Sequence, residues 1–159
     1  MKTIFLFASI GIASGLLFTN IYTSLVDARS WGSDVPHSIA AAREYFKVVS
    51  PGNFFRIFSP INQLLGLLVL ILFWKASPAI RLSLGAAFVL YIIADAFTFA
   101  YFYPRNDIMF KTARLTDVDL LKQTVSQWAT MNWLRTAIIF AGLCCSCVSL
   151  HKIYLLAQK

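Results

Sequence analysis

Four long stretches of this chain carry almost no charge, and each is long enough to cross a lipid bilayer. A helix needs about 20 mostly apolar residues to span the hydrocarbon core. Residues 3–26 contain no charged side chain, and residues 57–74 contain none before Lys75. Residues 78–103 carry only Arg81, near the start, and Asp95. Residues 132–150 carry only Arg135. The chain as a whole is 13% charged and 58% hydrophobic, whereas soluble domains are roughly 25% charged. A soluble fold would have to expose that apolar surface, and large exposed patches are rare. Composition therefore excludes an ordinary soluble domain, a disordered chain and a disulfide-built miniprotein. It predicts an all-α fold, a four-helix transmembrane bundle forming a single integral membrane domain over residues 1–159. The first stretch superficially resembles a secretory signal, because Lys2 precedes an apolar run. It is longer than the roughly 7–15 residues of a signal core and carries polar residues in its second half, so we read it as a retained helix.

The distribution of Lys and Arg predicts orientation. One side of the membrane collects Lys2, Lys75, Arg81, Lys152 and Lys159, with no acidic residue among them. The other side holds two long loops, 27–56 and 104–131, each with four basic and three acidic residues. The short, purely basic segments are expected in the cytoplasm. This predicts a multi-pass protein of the plasma (inner) membrane with both termini inside. The net charge of +7 then records orientation. Nucleic-acid binding is disfavoured, because the basic residues are dispersed over two membrane faces.

The outer loops carry helical patterns of their own. Ser33 or Asp34 can cap a helix with Pro36 in its first turn, with Val35, Ile39, Ala42, Phe46 and Val49 on one face and Pro51–Gly52 ending it. In the second loop Thr116 can cap a helix with the stripe Val118, Leu121, Val125 and Trp128. That stripe continues in phase through Asn132, Arg135, Ile139 and Gly142, which predicts a long last helix projecting beyond the membrane. The expectation is therefore two extramembrane amphipathic helices beside four spans.

Polar residues inside a membrane usually face the bundle interior and mark candidate functional positions. Asn20, Asn62, Gln63, Asp95, Asn132 and Arg135 fall at roughly one depth when the spans are laid out at about 1.5 Å per residue. Tyr91, Asp95, Thr98 and Phe102 share one stripe, and Trp128, Asn132 and Arg135 share another. A lone carboxylate in hydrocarbon is costly, so Asp95 needs a partner, and Arg135 is the only cation at that depth. Two readings stand. Asp95 and Arg135 form a structural pair while Asn side chains hold helices together. Alternatively, these groups wall a pocket facing the outer leaflet, covered by the loop helices. Tyr22, Phe58, Phe99, Tyr101, Trp128 and Trp133 lie near this level and are candidates either for that pocket or for an interfacial belt.

Cys144, Cys145 and Cys147 lie together near the inner end of the last span. The C-x-x-C spacing of Cys144 and Cys147 is similar to that of the quinone-linked vitamin K epoxide reductases. Those enzymes need thiols near the oxidising side, and no shuttle cysteines occur in the loops here. Packing is the favoured role, and a membrane thiol oxidoreductase is a third functional reading. His37 and His151 are far apart, so no metal site or haem is expected, and no cofactor motif is present. Gly11 and Gly15 form G-x-x-x-G, which suits close helix contact inside the bundle or in an oligomer.

Tyr103-Pro104-Arg105-Asn106, followed by Trp128, Asn132, Arg135 and Thr136, resembles the anthrone oxygenase-like family of small four-helix membrane proteins. The family's usual second element is Asn-His-x-Arg-Thr, and Trp133 stands here in place of the histidine. The resemblance implies binding, and oxidation by molecular oxygen, of a flat lipid-soluble aromatic or quinone-like molecule. The implied site comprises Asn20, Asn62, Gln63, Asp95, Asn106, Trp128, Asn132 and Arg135, with Asp95 and Arg135 as catalytic candidates. The departure at Trp133 puts base catalysis by a histidine in question. The alternative is a non-enzymatic assembly partner or small carrier. The expected partners are the lipid bilayer and one hydrophobic small molecule.

Overall fold

Serine and proline set where the helices begin. The computed structural model describes residues 2–111 and 117–158. Four of its helices are long and apolar enough to cross a membrane: α1 Lys2–Trp31, α3 Pro51–Leu72, α4 Pro78–Phe110 and α5 Val118–Ala157. A short helix, α2 His37–Tyr45, lies between α1 and α3. Every regular element among the described residues is helical.

Pro51 does not end a loop helix as its sequence context suggested. It is the first residue of α3, where a missing N–H costs nothing. Ser50 caps that helix, its backbone N–H donating to Asn53 Oδ1 at 3.0 Å. The helix expected up to Val49 stops at Tyr45. The Thr116 cap lies outside the described residues, as do Arg114 and Lys159. Asp117 caps α5, accepting from the Leu120 N–H at 2.9 Å. The segment from Val118 to Trp128 is no separate helix but the first part of α5, which runs unbroken for 40 residues. At about 1.5 Å per residue that is roughly 60 Å, twice the roughly 30 Å hydrocarbon core.

The four long helices form a ring: α1 packs on α3, α3 on α4, α4 on α5, and α5 closes on α1. At the end holding the α3–α4 turn, Leu6, Val69, Ile80 and Leu84 form a cluster. Ala13, Ala87 and Tyr91 fill the middle. At the opposite end the core is aromatic, with Trp31, Phe102 and Trp128 stacked edge to face beside Ile39, Met109 and Val125. The outside is apolar: Phe18, Leu64 and Leu82 are each more than two-thirds exposed. Asn20, Asn62, Asn132 and Ser149 are meanwhile almost wholly buried. Polar inside and apolar outside is the arrangement a bilayer imposes.

Gly11 and Gly15 are exposed, and a Cβ at either would meet nothing within 4 Å. The close contact inside the bundle expected of this G-x-x-x-G is not made. The tight glycine is Gly142, where a Cβ would lie 2.6 Å from the Tyr91 ring.

Candidate functional site

Two helices change their winding at the aromatic end. In α1 residues Thr23–Asp27 form a π-helical turn, and in α4 Thr98–Phe102 form another. At the exit of each turn a backbone N–H reaches the carbonyl five residues back, Ala28 to Thr23 and Tyr103 to Thr98. Such turns cluster at functional positions. The second one carries α4 through Pro104 and on to Phe110 without a break.

Arg135 is the hub of the site. It is 6% exposed. Its Nη1 donates to Thr98 Oγ1 at 3.1 Å and its Nη2 to Asn132 Oδ1 at 2.6 Å. The guanidinium lies over the Phe102 ring at 4.2 Å, with Phe55 at 5.4 Å and Trp128 at 6.0 Å. Its Nε is buried without a hydrogen-bond partner. Among the described residues no carboxylate comes within 4 Å of it.

Asp95 takes a different partner from the one expected. Its Oδ2 accepts from Gln63 Nε2 at 2.9 Å, linking α3 to α4. The shared depth read from the sequence thus resolves into two clusters. On one side Asn132 Nδ2 donates to Ser24 Oγ at 2.6 Å and to the Asn20 carbonyl at 3.1 Å. Asn20 Nδ2 in turn donates to Thr136 Oγ1 at 2.6 Å. These bonds stitch α1 to α5, and Arg135 extends them to α4 through Thr98. On the other side stand Gln63 and Asp95, with Asn62 nearby.

A small cavity separates the clusters. It measures about 30 Å³ and is lined by Asn62, Gln63, Asp95, Thr98 and Arg135 among others. That is the size of one water molecule. Three buried atoms without protein partners belong to its lining residues: Asn62 Oδ1, Gln63 Oε1 and Arg135 Nε. A second, larger cavity of about 520 Å³ lies toward the aromatic end. Its rings are Trp31, Phe46, Phe55, Tyr103, Phe110 and Trp128. Phe55, Thr98 and Arg135 line both cavities and form the partition between them.

The wall of the large cavity is fixed from α4 and α5. Trp128 Nε1 donates to Asn106 Oδ1 at 2.9 Å. Arg105 donates through Nε and Nη2 to Gln127 Oε1, at 3.2 and 2.9 Å, and lies 3.5 Å over the Tyr101 ring. Arg43 Nε donates to the Met109 carbonyl at 2.7 Å, tying α2 to α4. Burial lowers the Arg43 pKa, and a guanidinium stays charged all the same.

The family model for anthrone oxygenases matches residues 53–145, more than half of the chain. The chain belongs to the anthrone oxygenase family. No curated protein and no solved structure matches it. Residues that carried the family resemblance are hydrogen-bonded to one another: Asn106 with Trp128, Asn132 with Arg135, and Thr136 with the Asn132 carbonyl. Trp133, which stands where the usual family pattern has histidine, is 46% exposed on the outside of the bundle and lines neither cavity.

Of the residues expected at the site, Asn62, Gln63 and Asp95 line the small cavity, Asn106 and Trp128 the large one, and Arg135 both. Asn20 and Asn132 line neither and join helices instead. Tyr22, Phe99 and Trp133 face outward. The sequence reading did not single out Phe55, Trp31 or Phe110 for the cavity wall. The periodicity of their own segments held no signal for this, since they come from three separate elements. Cys144 and Cys147 are exposed on the bundle surface, and only Cys145 packs inward, against the cluster around Tyr91.

Proposed function

We propose that this anthrone oxygenase family member binds a flat, lipid-soluble aromatic or quinone-like molecule in the 520 Å³ cavity and oxidises it with molecular oxygen. The carrying observation is that cavity itself: large, walled by six aromatic rings, and divided by three side chains from a buried polar chamber. Its volume falls within the roughly 300–1,000 Å³ of small-molecule sites. Aromatic walls suit a planar ligand that partitions from the bilayer. The start of α1, the end of α5 and the α3–α4 turn lie at the opposite end from the cavity. By the positive-inside rule this favours cytoplasmic termini and a cavity in the outer leaflet of the plasma membrane.

For an anthrone the reaction balances simply. The ring methylene loses two hydrogens and gains one oxygen atom from O₂, and the second oxygen atom leaves as water. The step begins with loss of a proton from carbon. Asp95 is the candidate acceptor and Arg135 the candidate group facing the ligand. Asp95 lines only the small cavity, so the proton passes the partition by way of the Thr98 hydroxyl, which lines both cavities, and a water in the small one. The position occupied by Trp133 lies outside the bundle, so the missing histidine takes nothing from the cavity.

The test uses the purified protein in lipid nanodiscs with anthrone as probe. Anthraquinone absorbance, oxygen uptake and isotope-labelled oxygen in the product are followed together. The proposal expects acceleration over the uncatalysed reaction, abolished by Asp95→Asn while probe binding is kept. Asparagine still accepts from Gln63, so the helix contact survives. Binding without acceleration would sink the oxidation and leave a carrier. Absence of binding would sink the pocket.

A further inference from the structure

The charge around the large cavity is one-sided. Arg43, Lys47, Arg56, Lys111 and Arg135 line it, against Asp107 alone. Asp107 is engaged by Lys111 at 2.7 Å, and Lys47 meets Glu44, outside the lining, at 3.3 Å. Even counting Glu44, positive charge remains in excess. The deepest of these cations has no carboxylate in contact among the described residues. Arg135 is buried at membrane depth, hydrogen-bonded only to the neutral groups of Thr98 and Asn132. One donor, Nε, is left without a partner. Asp95 shares the small cavity with it but lies beyond 4 Å and is held by Gln63. A buried charge away from water is costly without an opposite charge or full hydrogen bonding. The three rings around the guanidinium supply only part of that compensation.

Resting on the reading of this cavity as a ligand site, we infer that its ligand is an organic anion: a planar aromatic whose acidic oxygen, a carboxylate or an ionised phenol or enol, lies against Arg135. The flat ring then lies among Phe55, Phe110 and Trp128, and the rim cations Arg56 and Lys47 draw the anion in from the membrane surface. Neutral ring systems of the same shape fill the same space but leave Arg135 with no counter-charge nearer than Asp95 across the small cavity. The site selects by charge as well as by shape.

The experiment compares two fluorescent probes of nearly equal size, anthracene carboxylate and anthracene methanol. Binding is measured by tryptophan quenching on the whole protein in phosphatidylcholine nanodiscs. The carboxylate is expected to bind about tenfold more tightly or better, as expected for one added charge contact at low effective dielectric. Arg135→Gln should abolish the preference, read as the ratio of the two affinities within the variant. Because Arg135 also bridges helices, Asn106→Asp provides a second variant. It keeps the acceptor for Trp128 Nε1 and adds one negative charge to the wall, and it too should erase most of the preference. Equal binding of the two probes to the unaltered protein would overturn the inference while leaving the ligand site standing. So would a preference that survives Asn106→Asp. Binding of neither probe would instead overturn the cavity reading itself. Displacement of the carboxylate by phosphatidylglycerol in the nanodisc, at matched concentration, would reassign the charge to lipid headgroups and overturn the aromatic anion.

Discussion

Replacing Asn132 by Leu tests how much the polar network around it, within α5 and across to α1, stabilises the bundle. Leucine has the same branched skeleton, with somewhat larger methyl groups in place of the amide, and suits the bilayer. In the structure Asn132 makes three side-chain hydrogen bonds, to Ser24, to the Asn20 carbonyl and from Arg135. Interhelical bonds within membranes average about 0.6 kcal/mol, and bonds to charged groups are worth about 1.5–3 kcal/mol. Two neutral bonds and one charged one sum to about 3 kcal/mol. Asn20→Leu removes only the bonds to Thr136 and to the Asn132 carbonyl, about 1 kcal/mol on the same scale. Reversible unfolding of the purified protein by dodecyl sulfate in mixed micelles gives both values. Each side chain bonds the other residue's backbone carbonyl, so the double variant measures the coupling between the two sites. An Asn132→Leu cost under about 1 kcal/mol, or one equal to that of Asn20→Leu, would refute the argument that the Arg135 bond dominates.

Two other predictions bear on packing and on the site's boundary. Gly142→Ala drives a methyl into the Tyr91 ring and should destabilise by about 1–3 kcal/mol, whereas Gly15→Ala meets open space and should change unfolding by less than about 0.5 kcal/mol. Trp133→His, which restores the usual family pattern at that position, should leave anthrone oxidation and probe binding unchanged, because the side chain points out of the bundle. A gain in rate would place position 133 in the chemistry.

The spans were legible because a bilayer admits so few sequences. Absence of charge over about 20 residues has one main explanation. The in-phase stripe from Leu121 through Asn132 to Gly142 likewise foretold a single long α5, and those residues are buried along it. Boundaries were read less well. Pro51 can end one helix or begin the next, and the Ser50–Asn53 cap decided for the latter. The π turns at Thr23 and Thr98 left no mark in the local sequence, since their hydrogen bonds depend on packing at the aromatic end.

The site shows the same division. Depth is a one-dimensional quantity, and counting residues along each span placed Asn20, Asn62, Gln63, Asp95, Asn132 and Arg135 near one level. Which of them touch is set by the rotation and ring order of the helices, which no single span encodes. That order gave Asp95 to Gln63 and left Arg135 with Thr98, Asn132 and three aromatic rings. It also turned Trp133 outward and gathered Trp31, Phe55 and Phe110 around a cavity. The sequence by itself determined a membrane bundle with buried polar groups, because apolar length and charge are read residue by residue. Only the tertiary structure decided that those groups split into a helix-holding network and the lining of a small polar cavity, with Arg135 alone reaching the large aromatic one, because contact between helices is a property of their mutual orientation.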